Sequence, residues 1–246
     1  MRLVLSDADL LKIPVKTISE IIDEGIFTIN KDGIHFSSVD RAMICMIELK
    51  LLSTAFEEFD VNKEYLIGLN LDNFADVLSR ARKKDRLTLE LSGNKVETIL
   101  EGVGKRKFTL PILDIKKEDL PDVSNLEFTA KATITTELLA EVIKDIELVG
   151  ESIVFKAEGN KFIIEGGSEL STSTTELSEG DPALIEINAK SPSKARYPLD
   201  YISKIVSLKE LSDEISIEFA NDYPCKITSK ILDKVYFSMI VAPRVE

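Results

Sequence analysis

The sequence lacks most of the residue types on which catalytic and metal-binding sites depend. Tryptophan and glutamine are absent from its 246 residues, and histidine occurs once, as His35. A single histidine excludes a metal site built on a histidine pair and leaves no Ser–His–Asp arrangement for nucleophilic catalysis. His35 alternates with Ile34 and Phe36 in a predicted strand, so we interpret it as a surface residue.

Cysteine and long apolar runs are equally scarce. Cys45 and Cys225 are isolated, with no Cys-x-x-Cys spacing, which excludes a disulfide framework or a metal knuckle and favours two small buried side chains. No window approaches the ~18 consecutive apolar residues of a membrane-spanning helix. Charge also appears too early in "MRLVLSDADLLKI" for a signal peptide. We therefore expect a soluble, cytoplasmic protein that holds no metal and no cofactor.

Negative charge dominates the chain, whose net charge is −12. Phosphate binding needs locally concentrated lysine and arginine. This charge balance therefore excludes a protein that binds nucleic acid over its whole surface, but it allows a locally basic face. Lysine, glutamate and isoleucine are abundant while glutamine is absent, which is typical of heat-adapted proteins.

The remaining patterns do not favour an enzyme. The stretch "EGVGKRK" at 101–107 is superficially similar to a phosphate loop, but Ile99 replaces the first glycine and Arg106 replaces the hydroxyl residue after the lysine. We interpret this stretch as a hairpin turn. Carboxylates are so numerous that no pair stands out for acid–base chemistry, and most are expected on the solvated surface.

A duplicated unit is the most informative feature of the sequence. Residues 10–25 carry an apolar stripe at helical spacing and lead into two alternating strands about a turn at 31–33. Residues 135–150 carry a similar stripe and again lead into a hairpin, this time about 158–160. The same order of elements therefore occurs twice.

The correspondence continues through a second helix in each half. Residues 72–84 and 199–210 carry apolar stripes, the latter at Leu199, Ile202, Ile205 and Val206. Each is followed by a hairpin and by one closing strand, "RKFTLPIL" or "VYFSMIVA". We predict an α+β fold of two similar domains, each with two helices and about eight or nine mostly antiparallel strands.

The joint between the halves has no sustained periodicity. We predict a first domain at 1–113, a connector at 114–128 that includes Pro121, and a second domain at 129–246. A plain tether and a segment packed on the surface beneath it both remain open. The second reading rests on four apolar residues of the connector: Leu120, Val123, Leu126 and Phe128.

Several stretches, taken together, resemble one known family. They are "DGIHFSSVDRAMICMIEL" (32–49), "YLIGLNLDNFADVLSRARKKDRLTLEL" (65–91) and the closing "APRVE". With the two tandem α+β domains and the extended connector, they resemble the DNA polymerase sliding clamps, the proliferating cell nuclear antigen family, in its archaeal form. No single motif is diagnostic, but the order and spacing along the whole length are specific.

The resemblance implies a fold and a function. The fold would be two DNA-clamp domains with helices on one face of antiparallel sheets. The chain would be a non-catalytic subunit of a trimeric ring that encircles duplex DNA irrespective of sequence, near the nucleoid. The ring would tether DNA polymerase and other replication and repair enzymes as a processivity factor. A scaffold or adaptor of similar fold that never encircles DNA is the alternative, although it would have no reason to place lysines on polar helix faces.

The resemblance also implies a docking pocket for partner proteins. In this family the DNA polymerase, clamp loader, flap endonuclease and DNA ligase insert a short glutamine-anchored peptide between the connector and the C-terminal tail. Ile240 departs from the aromatic residue that many relatives present, and Met43 and Met46 could instead fill the core. The residues carried over to the pocket are Val39, Met43, Ile44, Met46, Leu120, Pro121, Pro224, Ile240, Ala242 and Pro243.

A ring around DNA needs cations on the channel face of its helices. Asp76 and Glu141 oppose them, so the face is expected to be thinly basic, and Lys83 and Lys84 could instead complement a helix dipole. Pro14 is expected to start or kink the first helix. The residues expected to face DNA are Lys12, Lys16, Arg80, Arg82, Lys83, Lys84, Lys144, Lys194, Arg196, Lys204 and Lys209.

Subunits of the family join by pairing edge strands of neighbouring molecules. Here these strands would be about 105–112 and 170–177. A homotrimer and one subunit of a heterotrimer both remain open, and the weak inner charge and the unusual "STSTTELS" edge slightly favour the second. The residues expected at the interface are Lys107, Phe108, Thr109, Leu110, Thr172, Ser173, Thr174 and Thr175.

Overall fold

The structure, a computed structural model, describes residues 1–83, 85–117 and 119–244. The chain divides into two compact units. Unit 1 comprises Met1–Arg41, Ile47–Leu120 and Lys230–Phe237, and unit 2 takes the rest, including Ala42–Met46. The main boundary, between Leu120 and Pro121, lies inside the predicted connector, and the predicted domain limits remain predictions.

Unit 1 is built mainly from the first half of the chain. One sheet has the order β5-β1-β7-β8-β9, and hydrogen bonding also places β4, β3, β2 and β6 side by side. The elements of this half are β1 (Arg2–Leu5), α1 (Asp9–Ser19), β2 (Glu24–Asn30), β3 (Gly33–Val39), β4 (Cys45–Leu52), a 3₁₀ turn (Ser53–Ala55), β5 (Glu58–Asp60), β6 (Tyr65–Asn70), α2 (Leu71–Ser79), β7 (Arg86–Ser92), β8 (Lys95–Gly102) and β9 (Gly104–Pro111).

Unit 2 repeats this plan. One sheet has the order β13-β12-β11-β15, and β14, β10, β16, β17 and β18 lie side by side. The elements are β10 (Ala130–Thr135), α3 (Thr136–Glu147), β11 (Ser152–Glu158), β12 (Lys161–Gly167), β13 (Thr172–Ser178), β14 (Leu184–Ala189), β15 (Ser193–Pro198), α4 (Leu199–Ile202), a 3₁₀ segment (Ser203–Glu210), β16 (Glu214–Phe219), β17 (Cys225–Ile231) and β18 (Val235–Val241). The α+β fold with a helix-then-hairpin order in each half is confirmed.

The apolar stripe of α1 packs as the sequence predicts. Leu11, Val15 and Ile18 are buried, because residues three and four positions apart share one face of a helix. Pro14 lies inside the helix, which begins at Asp9, so the expectation that Pro14 starts it is wrong. The carbonyl of Ile13 accepts a hydrogen bond from the hydroxyl of Thr17, at 3.1 Å.

The fourth predicted helix differs from its prediction. Only Leu199–Ile202 is α-helical, and Ser203–Glu210 continues as a 3₁₀ helix. The fully buried side chains recur at every third residue and are those of Leu199, Ile202, Ile205 and Leu208. A 3₁₀ helix has about three residues per turn, so this spacing places them in one row, whereas the predicted Val206 is only half-buried.

Aromatic side chains form the centre of unit 2. The ring of Phe155 lies 5.5 Å from that of Tyr197 and 6.0 Å from that of Phe219, centroid to centroid. The Tyr197 hydroxyl donates a hydrogen bond to the carbonyl of Tyr223, at 2.8 Å. Burial raises the pKa of the Tyr197 phenol and of the Cys225 thiol. Cys45 and Cys225 are both fully buried, as the sequence predicts.

No helix within the described ranges is long and apolar enough to cross a membrane.

Two glycines allow a matched test of backbone packing in unit 1. Gly33 has φ +149°, and a Cβ atom there would lie 2.2 Å from the carbonyl oxygen of Leu51. Gly93 also has a positive φ, +60°, but a Cβ atom there would meet nothing within 4 Å. We expect Gly33→Ala to lower the free energy of unfolding by about 3 kcal/mol and Gly93→Ala by about 1 kcal/mol. Urea denaturation followed by circular dichroism measures both, and equal losses would contradict the close approach to Leu51.

Candidate functional site

The two strands predicted to join subunits both lie at the edges of sheets. β9 is the last strand of its five-stranded sheet, and β13 is the first strand of its four-stranded sheet. Their outer hydrogen-bonding sides therefore have no strand beside them within the described residues. The predicted residues fall on these strands as alternating exposed and half-buried side chains: Lys107, Phe108, Thr109 and Leu110 on β9, and Thr172, Ser173, Thr174 and Thr175 on β13.

Most of the charge on these edges is already balanced within the unit. The Nζ of Lys107 lies 2.7 Å from a carboxylate oxygen of Glu97, and that of Lys105 lies 3.1 Å from Glu101. On β13, Glu176 forms an ion pair with Lys161. Pairing of either edge with another strand would therefore depend on backbone hydrogen bonds rather than on unpaired charges.

Two cations predicted on α1 differ in their surroundings. Lys16 is exposed, near the end of the helix. Lys12 is half-buried, and its ammonium forms an ion pair with the carboxylate of Asp9 one turn earlier. Lys12 is therefore less available to a ligand than its place in the sequence suggested.

The cations after α2 are exposed. Arg80, Arg82 and Lys83 follow the end of this helix at Ser79. Lys84 lies outside the described residues. Among those residues, the side chains of these three cations form no hydrogen bond or ion pair. Asp76, on α2 itself, is exposed as well, in keeping with a thinly basic face.

The cations predicted in unit 2 are more dispersed. Lys144 is exposed on α3, together with Glu141. Lys194 and Arg196 lie on β15, not on a helix, because the fourth helix begins only at Leu199. Lys209 is exposed in the 3₁₀ segment, where Lys204 is half-buried.

Unit 1 contains a groove next to the connector. It has a volume of about 280 Å³, and its apolar wall includes Ile26, Phe36, Leu49 and the predicted docking residue Leu120. Glu24, Glu48, Lys116 and Lys117 supply charges at the same groove. His35 also lines it, so this side chain is half-buried in a groove and not simply on the surface as interpreted above.

Unit 2 contains a second and larger groove, of about 740 Å³, at the C-terminal tail. Three predicted docking residues, Ile44, Ala242 and Pro243, line it together with Pro198 and Leu199. The amide of Ala242 donates a hydrogen bond to the carbonyl of Ile44, at 2.9 Å, which fixes the tail. Charged residues also line the groove, namely Glu147, Glu151, Asp200, Lys204 and Arg244.

The remaining predicted docking residues have varied exposure. Met43 is 62% exposed and adopts φ +59°, so it does not fill the core. Met46 and Ile240 are half-buried, and Val39 is half-buried at the end of β3. Pro121 is exposed and Pro224 is half-buried. None of these lines either groove, so the structure brings together only part of the predicted set.

The connector packs against the units at both of its ends. In unit 1 the amide of Leu113, the residue before the connector, donates to the carbonyl of Gly68 at 2.9 Å, and Ile115 and Leu120 of the connector line the unit 1 groove. In unit 2 the rings of Phe128 and Tyr223 lie 6.2 Å apart. Between these ends, the hydroxyl and amide of Ser124 donate to the Asp122 carboxylate and lower its pKa. The segment is therefore not a plain tether.

The sequence interpretation missed Arg106. Its guanidinium reaches the end of α2 from β9 and pairs with the buried carboxylate of Asp85. In the sequence, Arg106 was used only as evidence against a phosphate loop, so its contact with Asp85 was not predicted. No group of three or more histidine, cysteine, aspartate or glutamate side chains is placed to hold a metal ion within the described ranges.

Comparison with known protein families gives two adjacent matches. The family described as "Proliferating cell nuclear antigen, N-terminal domain" matches residues 1–119, and "Proliferating cell nuclear antigen, C-terminal domain" matches residues 122–244. The chain belongs to the proliferating cell nuclear antigen family. The resemblance seen in the sequence is confirmed, and with it the pair of tandem clamp domains.

Relatives of this family match over the whole chain. The DNA polymerase sliding clamp of Thermococcus sibiricus is 33% identical over 233 residues, which are 94% of this chain and 93% of that protein. DNA polymerase sliding clamp 3 of Aeropyrum pernix is 30% identical over 246 residues, 100% of this chain and 98% of that protein. A chain in the crystal structure of the PCNA2–PCNA3 complex from Sulfolobus tokodaii is 33% identical, with a TM-score of 0.93 and 100% coverage of both chains.

Proposed function

We propose that this protein is a subunit of a DNA sliding clamp, a trimeric ring that encircles duplex DNA and tethers DNA polymerase as a processivity factor. The observation that carries the proposal is the match of both clamp domains, over residues 1–119 and 122–244, to relatives named as DNA polymerase sliding clamps. The chain acts through binding and performs no catalysis. It works in the cytoplasm, on the nucleoid.

A closed ring accounts for DNA binding by a protein with a net charge of −12. Once the ring is closed, the duplex is held by topology, and the protein needs only a few cations near the phosphates. Lys16, Arg80 and Lys144 suit this role, because each is exposed on or directly after a helix. Asp76 and Glu141 reduce the electrostatic attraction between the ring and the DNA phosphates. The ring therefore binds DNA weakly and slides along it.

Retention on circular DNA tests the proposed function. The assembled protein, loaded on nicked circular duplex, should stay bound through gel filtration and be released when the circle is cut, because cutting opens a free end. A protein that remains a monomer, or that leaves the circle before it is cut, would favour a scaffold that never encircles DNA.

The exposed cations account for the remaining affinity. Replacing Lys16, Arg80 and Lys144 by alanine should weaken binding of the ring to short linear duplex at low salt. The slope of log affinity against log salt should fall by up to about 3 for each variant subunit in the ring, since each phosphate contact contributes ~0.9. Fluorescence anisotropy across a salt series measures the slope. The control is alanine at Lys31, Lys95 and Lys190, which are also exposed but lie in turns or on a strand. Equal slopes in the two triple variants would contradict the assignment.

Subunits join, in this proposal, by pairing β9 of one chain with β13 of the next. Both strands lie at sheet edges, and nearly all of their residues are exposed or half-buried. Strand addition of this head-to-tail kind gives a ring when the rotation between neighbouring subunits closes. The neighbouring subunits are further clamp chains, identical or paralogous.

A proline at Thr174 tests this interface. Thr174→Pro removes a backbone N–H from β13 and prevents close approach of another strand, so the mass measured by light scattering should fall to that of a monomer. Thr174→Val keeps the amide and the β-branched shape, so this variant should assemble normally. Assembly of the proline variant at wild-type mass would place the interface elsewhere. Circular dichroism of both variants checks that the isolated chain is folded.

The grooves of the two units take part in docking partner enzymes. We assign the peptides of a DNA polymerase, clamp loader, flap endonuclease or DNA ligase to two separate candidate surfaces. One is the unit 1 groove that includes Leu120, and the other is the unit 2 groove that includes Ile44, Ala242 and Pro243. Burial of apolar side chains at ~25 cal/mol per Å² supplies the affinity. The exposed thioether of Met43 adapts to partners of different shape.

Leu120 provides the sharpest test of docking. Leu120→Asp places a carboxylate in an apolar wall, so affinity for a peptide with glutamine followed by spaced aliphatic and aromatic residues should fall by about 2 kcal/mol, roughly thirtyfold. Leu232→Asp is the control, because Leu232 lies in a turn of the same unit and is 86% exposed. Isothermal titration measures both variants. Unchanged affinity in an intact Leu120→Asp oligomer would mean that the connector serves packing only.

A further inference from the structure

A buried carboxylate lies directly after the cations that follow α2. Asp85 is 2% exposed, although it belongs to the link between a helix and a strand. Its Oδ2 accepts a hydrogen bond from the amide of Arg82 at 3.1 Å, and its own amide donates to the carbonyl of Arg82 at 2.9 Å. These two bonds close the turn that carries Arg82 and Lys83. A buried carboxylate needs a positive partner, since an unpaired buried charge is strongly destabilising.

That partner is Arg106, which comes from the edge strand β9. One guanidinium nitrogen forms an ion pair and hydrogen bond with Asp85. The other donates to the carbonyl of Arg80 at 2.9 Å. Arg80 is the C-terminal cap of α2 and has helical backbone angles, and carbonyls at this end of a helix have no partner within the helix. Arg106 therefore caps α2 and places a positive charge at the negative end of its dipole.

The backbone near the Arg106–Asp85 ion pair leaves space for the Asp85 carboxylate. A Cβ atom at Gly102, on β8, would lie 1.9 Å from Oδ1 of Asp85. Only glycine leaves this space free, so α2, β8 and β9 all contribute to the position of one carboxylate. The capping role considered for Lys83 from the sequence is thus filled by Arg106, and Lys83 itself is exposed.

We propose, on the basis of the clamp function proposed above, that Arg106 and Asp85 are positioning residues that link the subunit edge to the DNA-facing cations. Arg106 holds the backbone of residues 80–83 against β9, so that the side chains of Arg80, Arg82 and Lys83 keep a fixed orientation. Pairing of β9 with a neighbouring subunit restrains Arg106 and thereby orders residues 80–83. Ring assembly and electrostatic contact with DNA are coupled through this one side chain.

The charge-conserving variant Arg106→Lys tests the proposal. Lysine keeps the positive charge but presents no planar fork, so it cannot serve Asp85 and the Arg80 carbonyl together. We expect the assembled variant to bind short linear duplex less tightly, with a smaller salt slope, at unchanged oligomer mass and net charge. The amide of Arg82, which donates to Asp85, should exchange with deuterium about tenfold faster or more. Asp85→Asn should speed the exchange of the Arg82 amide in the same way.

Arg2→Lys is the matched control. It is the same exchange at a cation of the same sheet, on β1, and Arg2 pairs with Glu58 and Glu90 rather than with the end of α2. This control should leave DNA affinity and the exchange of the Arg82 amide unchanged. In the wild type, assembly should slow exchange at residues 80–83 relative to the unassembled chain, as obtained with Thr174→Pro.

Each outcome supports or overturns the proposal. Unchanged DNA affinity and unchanged exchange in Arg106→Lys would overturn it while the clamp function stood, because the wild-type ring would still remain on circular DNA. If Arg106→Lys does not assemble, exchange at Arg82 is compared with that of the unassembled Thr174→Pro chain, and equal rates would overturn the proposal. Failure of the wild type to stay on circular DNA would instead refute the clamp function itself.

Discussion

Unused hydrogen-bonding capacity at two sheet edges is the constraint on which the proposed assembly rests. Strand edges expose rows of amides and carbonyls, and natural proteins usually shield them with charge, proline or short length. β9 ends at Pro111, and its lysines are balanced within the unit, so this edge is only partly shielded. β13 carries a run of serine and threonine and has no lysine or proline to shield it. A chain with two such edges is suited to partners that complete its sheets.

Charge in this protein acts locally. The excess of carboxylates sets the sign of the electrostatic potential far from the protein surface. Within about one Debye length, ~8 Å at physiological salt, the force on a ligand depends on the nearest charged side chains. The exposed cations after α2 are unpaired within the described residues, while Lys12, Lys105 and Lys107 are each paired with a neighbouring carboxylate. The acidic surface therefore discourages non-specific contacts without blocking a few directed ones.

Much of the architecture was predictable because it follows from local periodicity. The apolar stripes of α1 and α3 and the hairpin turns each depend on residues that are close together in the sequence. Their duplication indicated two similar domains. The 3₁₀ segment was mistaken for an α-helix because Ile202 and Ile205 fit both periods. The burial of Leu208, with Val206 only half-buried, separates the two. The Arg106 contact escaped prediction because it joins groups 21 and 26 residues apart along the chain. The docking and DNA-facing residues were inferred from the family resemblance. Which docking residues share a groove could be seen only in the structure.

The division into units has a consequence for how the chain is made. Unit 1 includes Lys230–Phe237, and unit 2 includes Ala42–Met46, so neither corresponds to one continuous stretch of sequence. During synthesis the first unit cannot gather all its parts until the ribosome has translated Lys230–Phe237. Folding of the early strands must then await segments of high sequence separation, which slows it and leaves edges exposed in the nascent chain. A gene cut at the connector would yield two fragments that each lack a piece held by the other.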